Sequence, residues 1–438
     1  MNLAWIGGFV AILFLIACSI ALHEIGHLLP AKRFGVKVTQ YMVGFGPTMW
    51  ARRKGETEYG LKAVPLGGYI RMIGMFPPGP DGKVTASSTS RLAGLVEQAR
   101  QASAEEVGEA DKERAFYRLS VPKKLAVMLG GPFMNLVLAF VFFALALVAL
   151  GIPGPSLTVS SVVACVPTAT AASGDATATG DCVGSSRSSA ALAGVRPGDV
   201  LVGIDGRTAS SWAELSTWIR ASGGKDVVLV VTRDGQQLQL QTKVATAQRK
   251  VGLDGQLTDT AVSTGFLGVS PTTAMTRQSI TSVPSTVWDL TTRSVSALAT
   301  FPAKVIDVGK AALGMEDRDP NGPVSVVGVS RITGDITSAD GVTLSEKVFT
   351  ILTIAGSVNL FLFLFNLLPI PPLDGGHVAS ALYEGGRRKV AKWRGRTDPG
   401  PVDVARLLPI TYAVALVLIA VSVVLVYADL VTPIKLGG

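Results

Sequence analysis

Four apolar runs without a charged residue constrain this 438-residue chain more than any other feature. They lie within residues 1–22, 125–152, 348–373 and 407–428, and each is long enough for the roughly 20 residues that a helix needs to cross a bilayer. Charged residues make up 16% of the chain, whereas soluble domains carry about 25%, which excludes a fully soluble protein. The sequence therefore predicts a polytopic α-helical membrane protein with about four transmembrane helices.

Basic residues between the runs predict the orientation in the membrane. Residues 31–124 hold 16 of the 40 Lys and Arg residues. The connection after the third run contains Arg387, Arg388, Lys389, Lys392, Arg394 and Arg396. Because such an excess marks cytoplasmic loops, we expect both segments inside and residues 153–347 outside. The net charge of +8 then reflects membrane orientation, so the expected partner is the lipid bilayer and no nucleic acid.

The first run has a second interpretation, a cleaved signal peptide, because residues 15–18 resemble a lipoprotein processing box. No basic residue precedes the run, although such signals need one. Cleavage would also remove the helix that carries His23 and His27. We therefore interpret the run as a transmembrane helix and Cys18 as a buried small side chain.

The motif His23-Glu24-Ile25-Gly26-His27 carries the chemistry. On a helix, positions 23 and 27 lie one turn apart on the same face, so both imidazoles can bind one metal ion. Glu24 can then act as the general base toward a water at that metal. Ionisable groups at the end of an apolar span are costly to place, and function is their default interpretation.

A catalytic zinc ion takes a third protein ligand, which the first helix does not supply. Asp374 is our candidate, because it follows the Pro-interrupted end of the third run and is flanked by glycines. It could instead cap the helix that follows Gly375. His377 is the rival ligand, although we prefer it as a hydrogen-bond partner that supports the site.

Three further segments carry weaker signals. Cys165 and Cys182 lie in a Ser/Ala/Thr/Gly-rich stretch on the expected outer side, where a disulfide is favoured over two free thiols. Residues 84–115 form either a solvated helix or a flexible insert. Residues 285–314 have apolar positions at helical spacing, which fits an interfacial helix on the outer membrane face or a helix that packs on the protein's own core.

The run AGVRPGDVLVGIDG at residues 193–206 resembles a PDZ domain. Turn and strand signals around it predict a compact α+β unit, with a helix capped by Ser211 and a hairpin at Asp234-Gly235. Such domains bind an extended peptide as an added strand. A structural β-domain that binds nothing remains an equal interpretation.

With HEIGH, the PDZ-like run and NLLPIPPLDGGH at 366–377, the chain resembles the site-2 protease family. The resemblance is to its bacterial intramembrane zinc metalloproteases, such as the regulator of sigma-E protease. GFGP at 44–47 and VPLGGYIRM at 64–72 match the family's membrane re-entrant β-loop, and GGPFMN at 130–135 matches the start of its second span. Residues 84–115 and 160–190 have no counterpart in the pattern.

The resemblance implies one Zn²⁺ ion on His23, His27 and Asp374, with Glu24 as the base. It implies that Gly67 and Gly68 offer a strand edge to an unwound substrate and that Asn366 donates to its backbone. The expected partners are single-span membrane proteins of the anti-sigma-factor or signal-peptide type, trimmed first by a site-1 protease. The expected location is a bacterial cytoplasmic membrane, with the active site toward the cytoplasm and the PDZ-like domain outside, gating access.

The expected organisation follows the chain. It runs as a first transmembrane helix at 1–30, a cytoplasmic and re-entrant β region at 31–122, a second transmembrane helix at 123–152, a PDZ-like domain at 153–256, a region with the amphipathic helix at 257–346, a third transmembrane helix at 347–376, a basic loop at 377–404 and a fourth transmembrane helix at 405–430.

Two other functions fit parts of the sequence. A zinc-binding but inactive PDZ scaffold would not need the carboxylate of Glu24. A zinc transporter would place polar groups along a path and often repeat its halves, whereas here the ionisable groups cluster at one depth. We therefore expect an intramembrane zinc metalloendopeptidase.

Overall fold

A computed structural model describes residues 3–77, 91–166, 182, 186–251, 257–339 and 341–434. The chain divides into two compact units. The membrane unit comprises Met1–Gly151 and Arg277–Gly438, and the β unit comprises Ile152–Thr276. The expected PDZ-like boundary at residue 256 thus falls 20 residues short of the end of the β unit.

Ten α-helices occur in the described chain. They are α1 (Leu3–Arg33), α2 (Arg91–Glu106), α3 (Val121–Ala144), α4 (Ser189–Ala193), α5 (Trp212–Ala221), α6 (Ser282–Ala312), α7 (Val326–Ser338), α8 (Leu344–Asn366), α9 (Asp374–Trp393) and α10 (Leu408–Val431). A π-helical turn, Leu145–Leu150, extends α3. Two 3₁₀ segments, Glu109–Arg114 and Phe116–Arg118, precede α3, and one, Val404–Leu407, precedes α10.

Ten strands occur in the described chain. They are β1 (Val38–Lys54), β2 (Thr57–Met72), β3 (Ile152–Val162), β4 (Val200–Ile204), β5 (Arg207–Thr208), β6 (Asp226–Arg233), β7 (Gln236–Lys243), β8 (Ala245–Val251), β9 (Leu257–Phe266) and β10 (Val269–Thr276).

Four of the described helices are long and apolar enough to cross a membrane, which confirms the predicted polytopic protein. They are Leu3–Arg33, Val121–Leu150, Leu344–Asn366 and Val404–Val431. The third ends earlier than the expected residue 376, because Pro369, Pro371 and Pro372 cannot continue a helix. A separate helix, α9, begins at Asp374.

Glycines bring the first two spans into backbone contact. A β-carbon on Gly26 would stand 2.2 Å from the carbonyl oxygen of Gly130, and one on Gly130 would stand 2.0 Å from that of Gly26. Small residues permit this close approach in membrane helices, where packing rather than the hydrophobic effect holds helices together. The contact places the C-terminal half of α1 directly against the first half of α3.

Strands β1 and β2 form a hairpin that folds back on itself. Residues 40–43 pair on one side with 58–61 and on the other with 68–71. Within the described sheet, Gly68–Met72 pairs with no second strand and forms an edge. Buried Val36, Val38 and Tyr41 pack with Leu28 of α1 and Val127 of α3, which holds the hairpin beside the ends of both helices.

The insert at 84–115 contains helix α2, within the part of it that is described. Ser103 Oγ donates to the carbonyl oxygen of Phe76 at 3.1 Å, and Arg100 forms an ion pair with Asp403. These contacts join α2 to the segment after the hairpin and to the start of the last span.

Helix α6 corresponds to the amphipathic segment expected at 285–314. One face packs on the protein itself, where Val308 and Ala312 contact Leu425 and Ala428 of α10. The other face exposes large apolar side chains, Trp288, Val295 and Ile306. The packed face agrees with the core-packing interpretation, and the interfacial position on the outer membrane face stays a prediction.

The β unit is built on a sheet of strand order β10-β3-β4-β6-β7, with β5 paired to β4. Strand β10 belongs to this sheet because it pairs along β3, which explains why the unit extends to Thr276. Buried Asp199 accepts hydrogen bonds from Arg233 at 2.8 Å and stabilises the turn before β4. Ser211 caps α5, and a disulfide joins Cys165 to Cys182.

Candidate metal centre

Three side chains from two helices converge near the C-terminal end of α1. The Nε2 atoms of His23 and His27 are 3.2 Å apart, as expected for residues one turn apart on one helical face. Asp374 Oδ2, at the first residue of α9, lies 3.3 Å from each of them. Residues from the two ends of the chain, His23 and His27 near its start and Asp374 near its end, thus form one cluster of potential ligands.

The spacing of the three atoms fits a single zinc ion. Zinc binds nitrogen or oxygen ligands at about 2.0–2.1 Å in tetrahedral geometry, which places ligand atoms about 3.3 Å from one another. The observed separations of 3.2, 3.3 and 3.3 Å match this value. Asp374 Oδ2 is also buried and receives no hydrogen bond within the described chain. The residues present can therefore hold Zn²⁺ and leave a fourth position open.

A backbone hydrogen bond orients one of the imidazoles. His27 Nδ1 donates to the carbonyl oxygen of Val127 at 2.8 Å, which leaves Nε2 unprotonated and directed at the cluster. Histidines that bind metals usually donate their second ring nitrogen in this way. His23 Nδ1 is buried and has no such partner within the described residues.

Gly131 of α3 forms the wall behind the two imidazoles. A β-carbon at this position would stand 2.1 Å from His27 Nε2 and 2.7 Å from His23 Nε2. No side chain larger than hydrogen fits there without moving a ring. The small-residue stretch at the start of the second span thus contributes directly to the shape of the cluster.

Backbone packing and an ion pair hold Asp374 in place. A β-carbon on Gly375 would stand 2.2 Å from the carbonyl oxygen of Leu368, so α9 begins tightly against the preceding turn. Farther along α9, buried Glu384 binds Lys124 of α3 at 2.8 Å. The alternative role of Asp374 as a helix cap is wrong, because Leu373 occupies that position and Asp374 makes no capping hydrogen bond.

His377 does not join the cluster in the described chain. It lies one turn along α9 from Asp374, on the wall of a cavity of about 30 Å³ that Lys124 and Glu384 also line. Within the described chain, no contact of His377 supports either of its suggested roles, as the rival ligand or as a supporting hydrogen-bond partner.

Glu24 is 8% exposed and faces the sheet edge. A β-carbon on Gly68 would stand 2.9 Å from Glu24 Cγ, so the edge strand lies closely against the Glu24 side chain. Gly67 faces away, toward the ring of Phe45, and its φ of +108° favours glycine. Asn366 is the last residue of α8 and is half-buried.

One residue near the cluster received no role from the sequence. Asn135 lies on α3, one turn beyond Gly131, and is 0% exposed. The available signal was an amide within a charge-free apolar run, where polar groups are costly.

Comparison with known proteins agrees with this geometry. Residues 11–397 match the sequence profile of Peptidase family M50. The chain is 36% identical to "Zinc metalloprotease Rip1" of Mycobacterium tuberculosis over 441 residues, which cover 99% of each chain. It is 32% identical to the protein of the same name from Mycolicibacterium smegmatis, over 98% of each chain. It is 26% identical to "Metalloprotease MmpA" of Caulobacter vibrioides, over 86% of each chain.

Proposed function

Because the chain belongs to peptidase family M50, the site-2 protease family, and is a zinc metalloprotease, we propose that His23, His27 and Asp374 hold one Zn²⁺ ion. The observation that carries this proposal is the triangle of ligand atoms 3.2–3.3 Å apart. When bound, Zn²⁺ polarises a carbonyl group and lowers the pKa of a water in its open position toward 7.

We propose that Glu24 is the general base. It follows a ligand directly in the chain and is nearly buried, so its carboxylate acts in a water-poor site. As the water oxygen attacks the carbonyl carbon, Glu24 accepts the water proton. It then returns that proton to the leaving amine nitrogen as the peptide bond breaks.

The substrate is the transmembrane segment of a single-span protein, of the anti-sigma-factor or signal-peptide type. Its peptide groups are hydrogen-bonded within a helix, so the scissile segment must first unwind. The free edge at Gly68–Met72 can pair with the unwound strand and guide it past Glu24. Asn366, at the end of α8, donates to the same strand.

Exposed apolar residues on the hairpin support a membrane-inserted loop. Phe45, Met49, Trp50, Leu61 and Val64 are all exposed. A patch of this kind on a soluble surface would be an aggregation hazard, whereas lipid would cover it. The hairpin is accordingly the re-entrant β-loop, and the active site opens toward the cytoplasm of a bacterial cell.

The β unit acts as a PDZ-like recognition domain on the outer side. Strand β10 lies at the end of its sheet, so its outer edge can accept another strand. A groove of about 250 Å³ runs between α5 and residues 265–269, beside this edge. An extended peptide fits such a groove, and its occupancy would gate access for substrates that a site-1 protease has trimmed.

The test is co-expression with a panel of single-span proteins already trimmed of their outer domains. The unsubstituted chain should cleave at least one of them, and Glu24→Gln and Asp374→Asn should cleave none. Glu24→Gln should keep its zinc. If all three chains leave every substrate intact while zinc stays bound, the protein acts as a zinc-binding scaffold and the proposal fails.

A further inference from the structure

Asn135 is a buried amide one helical turn from the candidate metal centre, and it has no partner among the described residues. It is 0% exposed, and neither its Oδ1 nor its Nδ2 makes a hydrogen bond within the described chain. Leaving a buried polar atom unpaired costs about 1–3 kcal/mol, so a side chain with two such atoms needs an explanation.

The position of Asn135 on α3 directs it to the interior. The buried face of this helix follows a four-residue spacing through Val127, Gly131, Asn135, Ala139 and Phe143. The first of these binds His27 through its carbonyl oxygen, and Gly131 abuts both imidazoles. Asn135 follows one turn, or about 6 Å, farther along the same face. Beyond Asn135, the buried face of α3 is apolar.

A structural role would give the amide partners inside the protein. Asn359 of α8 is the comparison, because it is 1% exposed and its Nδ2 donates to Ser19 Oγ and to the carbonyl oxygen of Ala355, both at 2.9 Å. That amide joins two spans, as polar groups in membrane helices commonly do. Asn135 joins nothing in the described chain.

A substrate segment that unwinds in the membrane also has backbone groups that need hydrogen-bond partners. Each peptide group released from its helix presents one N–H and one C=O, and lipid satisfies neither. A carboxamide offers one acceptor oxygen and two donor hydrogens, so it can bind both halves of a peptide backbone. The unpaired atoms of Asn135 match the unpaired atoms of the substrate.

We propose that Asn135 binds the main chain of the substrate next to the scissile peptide bond. Its Nδ2 donates to a substrate carbonyl oxygen, and its Oδ1 accepts from a substrate N–H. This inference rests on the proposed function, because it requires a peptide substrate to bind at the metal centre. It gives the second span a role in substrate binding in addition to its packing against the histidines.

The experiment compares two zinc-directed probes on purified, zinc-loaded protein in detergent. One is acetohydroxamate, which has no further peptide group, and the other is a hydroxamate that carries two peptide bonds. Affinity for each is measured by titration calorimetry. Asn135→Ala should weaken the peptidyl probe roughly tenfold, the value of one good hydrogen bond, and leave acetohydroxamate unchanged.

Two further variants separate the amide from packing. Asn135→Leu also removes the amide but fills the space instead of emptying it, so both variants should lose the same affinity. Asn359→Ala removes a buried amide whose donors are already bonded, and it should change the affinity less than twofold. Zinc content should match the unsubstituted chain in all three.

The outcomes divide cleanly. Unchanged affinity of both Asn135 variants for the peptidyl probe overturns the inference and leaves the proposed function intact. An equal loss in Asn359→Ala also overturns it, because the effect would then be general to buried amides. If the unsubstituted chain binds neither hydroxamate, the proposed function fails and this inference fails with it.

Discussion

Replacing Gly131 by alanine tests the geometry of the metal centre with a single methyl group. The new β-carbon would stand 2.1 Å from His27 Nε2, whereas ordinary contact begins near 3.4 Å, so the ring nitrogen must retreat by about 1.3 Å. Zinc sites tolerate deviations of about 0.2 Å in ligand distance. Alanine is otherwise favoured over glycine in a helix by about 1 kcal/mol, so a loss cannot come from helix propensity.

We expect Gly131→Ala to lose zinc affinity by about 100-fold and kcat/KM by at least as much, since a 1 Å misplacement of reacting groups costs about that factor. The assay is zinc retention during chelator titration of the purified protein, followed by cleavage of a trimmed substrate. Gly7→Ala on α1 is the matched control, because nothing lies within 4 Å of its β-carbon. A Gly131→Ala protein with normal zinc affinity would refute the placement of both imidazoles against α3.

Three further predictions concern stability. Lys124→Met removes the buried partner of Glu384 and leaves that carboxylate with the partly exposed Arg388 at 3.0 Å. It should lower the free energy of unfolding in detergent by about 3 kcal/mol, the low end for a broken buried ion pair. Cys182→Ser opens the bond to Cys165 and should destabilise the β unit by about 3 kcal/mol while zinc content stays unchanged. The hydrogen bonds from Arg233 lower the pKa of Asp199 below its ordinary value of 3.8. The Asp199 carboxylate therefore stabilises the β unit fully above pH 3.8, and this stabilisation is lost as the pH falls through its lower pKa in the folded state. In Asp199→Asn, the free energy of unfolding of the β unit should depend less on pH in that window.

The parts of the site that were predicted from the sequence are those that local chemistry specifies. His23 and His27 lie on one helical face by periodicity alone, and Asp374 was the acidic group beside a span that had no other. The four spans followed from hydropathy in the same way. A helical period and an uninterrupted apolar run need no knowledge of what packs against them.

The remainder depends on contacts between distant segments. In the sequence, Gly131 is one small residue among several. Its role in shaping the metal centre appears only in the structure, where α3 lies against the imidazoles. The β unit extends to Thr276 because β10 pairs with β3, a register that no local pattern encodes. An amide in an apolar run is a sequence signal, but that Asn135 has no partner among the described residues appears only in the structure.

The most direct test of the central claim is the zinc content of four purified chains: unsubstituted, His23→Ala, Asp374→Ala and His377→Ala. The metal centre described here predicts one zinc per chain in the unsubstituted protein and in His377→Ala, and loss of zinc from the other two. X-ray absorption at the zinc edge should show nitrogen and oxygen ligands near 2.0–2.1 Å and no sulfur. Retention of zinc by Asp374→Ala together with its loss from His377→Ala would contradict the claim and assign the third ligand to His377.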